Sequence, residues 1–164
     1  MGLQLPGELV SLLSMLGYTW PQADEEKLFE MGHAWMNFAG SFPESLQDAN
    51  AQAQRVWSGN QGAGIDAFRQ AWSDQDAPSS TLRDAVTAGN IIGAGLMVCA
   101  GIVLALKINV IVQLVQLAIA IAQAIATAAV TFGASLAEIP IFKQITSMII
   151  DQLINMALEA ILNG

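Results

Sequence analysis

The chain reads as all-α, a helical hairpin extended by long apolar helices into one bundle. Three observations carry that reading. Apolar residues recur at steps of three and four along most of the chain, the spacing that puts them on one face of a helix. Leu28, Met31, Trp35, Phe38, Phe42, Leu46, Ala49, Ala53 and Val56 form one such stripe, and Ile65, Phe68 and Trp72 form the next. No run alternates with period two for long, so no sheet is expected.

Taken in order, Pro6-Gly7 opens a short helix through Leu16, which Gly17 closes. Tyr18-Thr19-Trp20-Pro21 is a turn or extended link, because a residue before proline avoids the helical region. Asp24 caps the next helix, and Glu25 and Glu26 sit favourably at its positive end. This helix is expected to reach about Val56, with a kink near Phe42 or a break restarted by Ser41, since Pro43 removes a hydrogen bond. Gly59 to Gly64 is read as the turn and Gly64 to Ser73 as the second hairpin helix. Pro78 breaks the chain, and Ser79 or Ser80 caps a third helix running to Leu106. In that helix Gly89, Gly93 and Gly101 allow close helix contact. Ile108 to Phe132 follows, stopped by Gly133, and a last helix runs from near Pro140 to Asn163-Gly164.

A chain of 164 residues suits a single domain, with a hairpin region over 5–76 and an apolar extension over 79–164. Fourteen acids against 6 bases give a formal charge of -8. That balance speaks against nucleic acid and against purely electrostatic binding to anionic lipid. Residues 89–164 hold only Lys107, Glu138, Lys143, Asp151 and Glu159 as charges. Cys99 is the one cysteine and reads as a buried, inert thiol. No basic start precedes the first apolar stretch and Glu8 interrupts it, so no signal peptide is read there.

Within the turn lies Trp57-Ser58-Gly59. A Gly just past a helix end can take the left-handed conformation that closes it, and a Trp beside it can lie over the seam between the two helices. With "LPGELVSLLSMLGYTWPQADEEKL", "AWMNFA" and "ANAQAQRVWSGNQGAGIDAFRQAW", this chain resembles the WxG helical-hairpin family, substrates of type VII secretion. More closely, it resembles the longer N-terminal domains that actinobacterial polymorphic toxins carry in place of a signal peptide. The resemblance implies a non-enzymatic targeting domain, cytoplasmic before export and then secreted without a cleaved leader. It implies the type VII machinery as partner, a small WxG-type protein or chaperone as a further one, and a C-terminal toxin cargo in the full-length chain. The family's export signal is an aromatic followed four residues later by an acid. Trp72 and Asp76 have that spacing, with Trp in place of Tyr, and one turn of helix would put them on one face. The secretion motif is therefore Trp57, Gly59, Trp72 and Asp76; the plainer alternative is a core Trp beside a helix-ending Asp.

Residues for chemistry are scarce. His33 is the only histidine, and it reads as solvated or partner-facing rather than as a general base. Asp24-Glu25-Glu26-Glu30 and Asp74-Asp76 read as helix ends and lack calcium-loop spacing. Gly59 to Gly64 is glycine-rich but follows no strand and lacks the P-loop lysine. No catalytic residue, cofactor or metal is expected. Trp20, Trp35, Trp57 and Trp72 read as core or seam residues.

Two readings of the apolar half stand. Asn109, Gln113, Gln116, Gln123 and Thr127 make one polar stripe, which suits a bundle helix or a membrane helix lining a pore. Lys143, Gln144, Ser147, Asp151, Gln152, Asn155 and Glu159 keep one side of the last helix wet. A soluble bundle is favoured, with Val110, Leu114, Leu117, Ile121 and Ile125 buried. The alternative is a membrane-inserting or translocation module using helices 87–106 and 108–132. An unrelated adaptor bundle needs only the helical pattern.

Overall fold

A computed structural model describes residues 2–163. Its elements are α1 (Gly7–Met15), α2 (Glu25–Gly59), α3 (Ala63–Ser73), α4 (Pro78–Thr127), a 3-10 turn at Ala134–Glu138, and α5 (Ile139–Asn163). No strand occurs among the described residues. Contacts group into two compact units, Met1–Lys27 with Cys99–Gly164, and Leu28–Val98. The α1 boundaries, the left-handed Gly17 (φ 87°) and the Asp24 cap are as expected. The Asp24 Oδ1 accepts the Lys27 N–H at 3.2 Å. The last helix also starts as expected, while Gly164 lies outside the described residues.

Four expectations change. Pro43 does not break α2, and Ser41 restarts nothing: its hydroxyl donates to the Phe38 carbonyl at 2.6 Å. Pro78 rather than a serine opens α4, the first-turn position where its absent N–H costs nothing. Residues 87–106 and 108–127 are one continuous helix, so they cannot form a hairpin with each other. That helix ends at Thr127, five residues before Phe132, and Gly133 (φ 85°) follows as the left-handed stop.

The continuity of α4 has a simple cause. Its buried or half-buried positions include Val86, Gly89, Gly93, Leu96, Ala100, Val103, Lys107, Val110, Leu114, Leu117, Ile121 and Ala124. Steps of three and four alternate through all of them, a heptad seam with no slip at Lys107. In α2 the fully buried positions Gly32, Ala39, Leu46 and Ala53 likewise recur every seven residues.

In the unit Leu28–Val98, α2 and α4 approach closely. A Cβ on Gly32 would lie 2.8 Å from the Gly93 carbonyl oxygen, and one on Gly89 would lie 2.9 Å from the Ala39 Cβ. So Gly89 and Gly93 do serve close packing; Gly101 is exposed and has nothing near its Cβ position. This proximity also corrects the expected α2 stripe. Met31, Trp35, Phe38 and Val56 are exposed, because the small residues make the seam and the large ones flank it. Trp35 and Phe38 meet edge to face at 6.0 Å, and Phe38 and Phe42 at 4.7 Å.

In the other unit the core is Leu9, Leu13, Val110, Leu114 and Ile150, flanked by Leu5, Leu12, Tyr18 and Trp20. As expected, Val110, Leu114 and Leu117 are buried and Ile121 half-buried; Ile125 is exposed. Tyr18 donates its hydroxyl to Asp151 Oδ1 at 2.7 Å, with the Ser147 carbonyl at 3.0 Å. Burial and the Asp151 carboxylate raise the pKa of that phenol above 10.0. Lys107, only 1 % exposed, meets Glu25 (6 % exposed) at 2.7 Å. The Lys107 ammonium also donates to the Ala23 carbonyl at 2.6 Å and lies 5.9 Å from the Trp20 ring centroid. Glu25 accepts the Leu3 N–H as well. The lone charge in the apolar run of α4 is thus fully partnered and clamps the N-terminal segment onto that helix. Cys99 is half-buried and free.

Candidate functional site

The four residues read as a secretion motif lie at the α2–α3 hairpin and the link beyond it, all within Leu28–Val98. Trp57 sits in the last turn of α2 and leans across to α3. Its ring centroid is 5.8 Å from that of Phe68, and Phe68 is 5.9 Å from Trp72. These three aromatics form a ladder that fastens α2 to α3, as expected for a Trp over the seam. Trp57 is half-buried rather than buried, so Trp57→Ala is expected to cost about 1–2 kcal/mol in a denaturant titration, below the about 3–5 of a fully buried aromatic. An unchanged midpoint would remove Trp57 from the seam.

Gly59 differs from its expected role. It is the last residue of α2, with no positive φ, and nothing lies within 4 Å of its Cβ position. The unusual backbone belongs to Gly62 (φ 126°), which precedes α3. The turn is therefore only 60–62. Asn60 closes α2 by donating its side-chain N–H to the Val56 carbonyl at 2.8 Å.

Trp72 and Asp76 do not share a helical face. Helix α3 ends at Ser73, and Asp74 is extended (φ -67°, ψ 154°). Trp72 is half-buried and turned toward α2, where its indole N–H donates to Asn50 Oδ1 at 2.8 Å. The Ser79 hydroxyl donates to the Trp72 carbonyl at 3.4 Å and ties the start of α4 to the end of α3. Asp76 is exposed, and its N–H donates to Asp74 Oδ1 at 3.1 Å in a tight turn.

A polar cleft of about 490 Å³ gathers Trp57, Trp72 and Asp74 with Asn50, Gln54 and Arg83; Asp76 does not line it. A second cleft of about 630 Å³ adjoins it through Asn50, Gln54 and Arg83 and is lined by Pro43, Leu46 and Val86. Sequence reasoning missed Asn50 and Arg83. Each is distant in sequence from Trp72, and neither belongs to a local motif. His33 is exposed, as expected of a solvated side chain.

An all-helical chain whose α2 ends in Trp-x-Gly, with that Trp stapling the following helix, is a WxG-type hairpin protein. The chain belongs to the WXG100-like domain family, whose model matches residues 4–149. It is thereby a type VII secretion-associated helical protein, from a family associated with partner pairing. No curated protein and no solved structure matches it.

Proposed function

We propose that this chain is a non-enzymatic delivery domain that presents itself, and a toxin joined to it, to a type VII secretion machine. The observation that carries this is the family match over 4–149 together with the Trp57–Phe68–Trp72 ladder at the hairpin. The ladder fixes the turn, and the exposed Asp76 stands just beyond it, available to a receptor. In this reading the protein is cytoplasmic before export and leaves without a cleaved leader. Trp57, Gly59, Trp72 and Asp76 form the secretion motif, and Asn50 positions Trp72.

Two substitutions separate recognition from folding. Nothing crowds the Cβ position of Gly59, and the side chain of Asp76 is exposed, so Gly59→Ala and Asp76→Ala are expected to fold normally. Both are expected to lower the protein recovered from culture medium, read by immunoblot, in a host with an active type VII system. Melting curves of the purified variants should match the parent. Full export of both variants would overturn the assignment of these residues, and export of the parent from a host lacking the machinery would overturn the route. Asp74→Ala is the companion variant, because Asp74 is the acid that lines the Trp72 cleft.

A further inference from the structure

Between Lys107 and Glu138 the chain carries no charge, and that stretch ends in the turn between α4 and α5. The part of α4 from Cys99 onward and all of α5 belong to one unit, with Leu114 and Ile150 in a shared core. The turn is built inside out. Loops that meet water usually display polar groups. Here Phe132 is 98 % exposed and Val130 81 %, the two most exposed large apolar side chains among the described residues. The hydroxyls instead fold back. Thr127 donates to the Gln123 carbonyl at 2.9 Å, Thr131 to the Thr127 carbonyl at 3.0 Å, and Ser135 to the Ala124 carbonyl at 2.7 Å. Polar groups satisfied within the segment are what a hydrocarbon surrounding demands and water does not.

Two further observations agree. Phe132 has φ 52°, a left-handed conformation that is an outlier for a bulky residue. Such strain persists where the surroundings or function require it, and here it throws the ring outward. Behind the turn, α4 exposes Val115 and Ile119 on the side away from its buried seam, and α5 exposes Ile141 and Ile145. The two stretches long and apolar enough for a membrane, within Ala63–Thr127 and Ala134–Asn163, are only 22 % and 11 % buried, the reverse of a core helix.

We infer that the turn 128–137 is a membrane-anchoring tip that inserts into the hydrocarbon edge of a lipid bilayer. The absence of charge suits the apolar interior, and the exposed Val130 and Phe132 sit on the turn between two helices. Insertion is shallow. Glu138 follows the turn at once and Lys143 comes in the second turn of α5; they hold its far side at headgroup level, and Gln123 marks the same limit on α4. The chain's charge of -8 makes neutral lipid the preferred surface.

The test is flotation of the purified chain with vesicles of phosphatidylcholine alone, beside sedimentation to read its association state. The parent is expected to float with the vesicles. Phe132→Asn keeps a residue tolerant of the left-handed backbone and removes the ring. It should leave the melting curve unchanged or slightly raised while lowering partition about 10- to 100-fold. Phe132→Trp should float like the parent. A parent that stays in solution overturns the inference, as does a Phe132→Asn variant that floats equally well. A parent that forms a dimer which Phe132→Asn dissociates, without flotation, assigns the tip to a protein interface and overturns it too.

Discussion

Glu25→Ala is expected to cost about 3–5 kcal/mol of stability at neutral pH, the range for removing one partner of a buried ion pair. The Lys107 ammonium, 1 % exposed in the parent, would keep only the Ala23 carbonyl and the Trp20 ring as partners. Taking both charges out together should behave differently. Glu25→Leu with Lys107→Met fills the site with apolar atoms and is expected to lie within about 1 kcal/mol of the parent, since the desolvation of two ions offsets their attraction. Denaturant titration of the three proteins checks this, and a double variant as weak as the single one would sink it. The pH dependence has a definite sign. Burial pushes the Glu25 carboxyl up, but hydrogen bonds from Lys107 and the Leu3 N–H outweigh it and hold the carboxyl below 4.5. The carboxylate's stabilisation is therefore complete above 4.5 and is lost as pH falls through the lower folded value. The gap in stability between the parent and Glu25→Gln should be constant near neutrality and close in acid.

Gly93→Leu is the second large effect. A Cβ at Gly93 would lie 2.6 Å from Met36 Cγ and 2.8 Å from the Gly32 carbonyl oxygen. Met36 can swing aside, but the carbonyl is backbone and cannot. The helices must separate, uncovering Ala39 and Gly89 beside them. Gly93→Ala is expected to cost about 1–3 kcal/mol and Gly93→Leu more, to the point of unfolding at moderate temperature. Gly95→Ala, two residues on, should have the opposite sign. It is exposed with nothing near its Cβ position, so a better helix former there should stabilise by up to about 1 kcal/mol. Calorimetric melting of the three variants distinguishes a crowded crossing from a general dislike of change in α4.

How much of this was legible in the residues depends on distance along the chain. Gly17 and Asp24 act through neighbours three to five residues away, so local rules placed them. Lys107 was read as a boundary between helices because a lone charge in an apolar run looks like an interruption. Its partner Glu25 lies 82 residues earlier, and only the folded chain turns the charge into a seam position. Trp35 and Phe38 looked like core because they are large and periodic. The approach of Gly32 to Gly93 decided otherwise, and that is a property of two segments at once. At the candidate site the ladder was half visible: Trp57 near Phe68 follows from the hairpin, whereas the bond from Trp72 to Asn50 does not. The spacing of Trp72 and Asp76 was read as one helical turn, but the extended Asp74 intervenes.

The unbroken seam of α4 makes its length discontinuous in effect. Within the unit that holds Lys107, removing one residue between Lys107 and Leu114 would rotate everything beyond by about 100°. Lys107 would then swing off its carboxylate, or the polar row of Gln113 and Gln116 would turn into the core. Changes of seven residues, by contrast, return each side chain to within about 20° of its former bearing. Natural variants of this helix should therefore differ in length by whole heptads or not at all, and the same arithmetic governs where a tag or linker can be grafted into it.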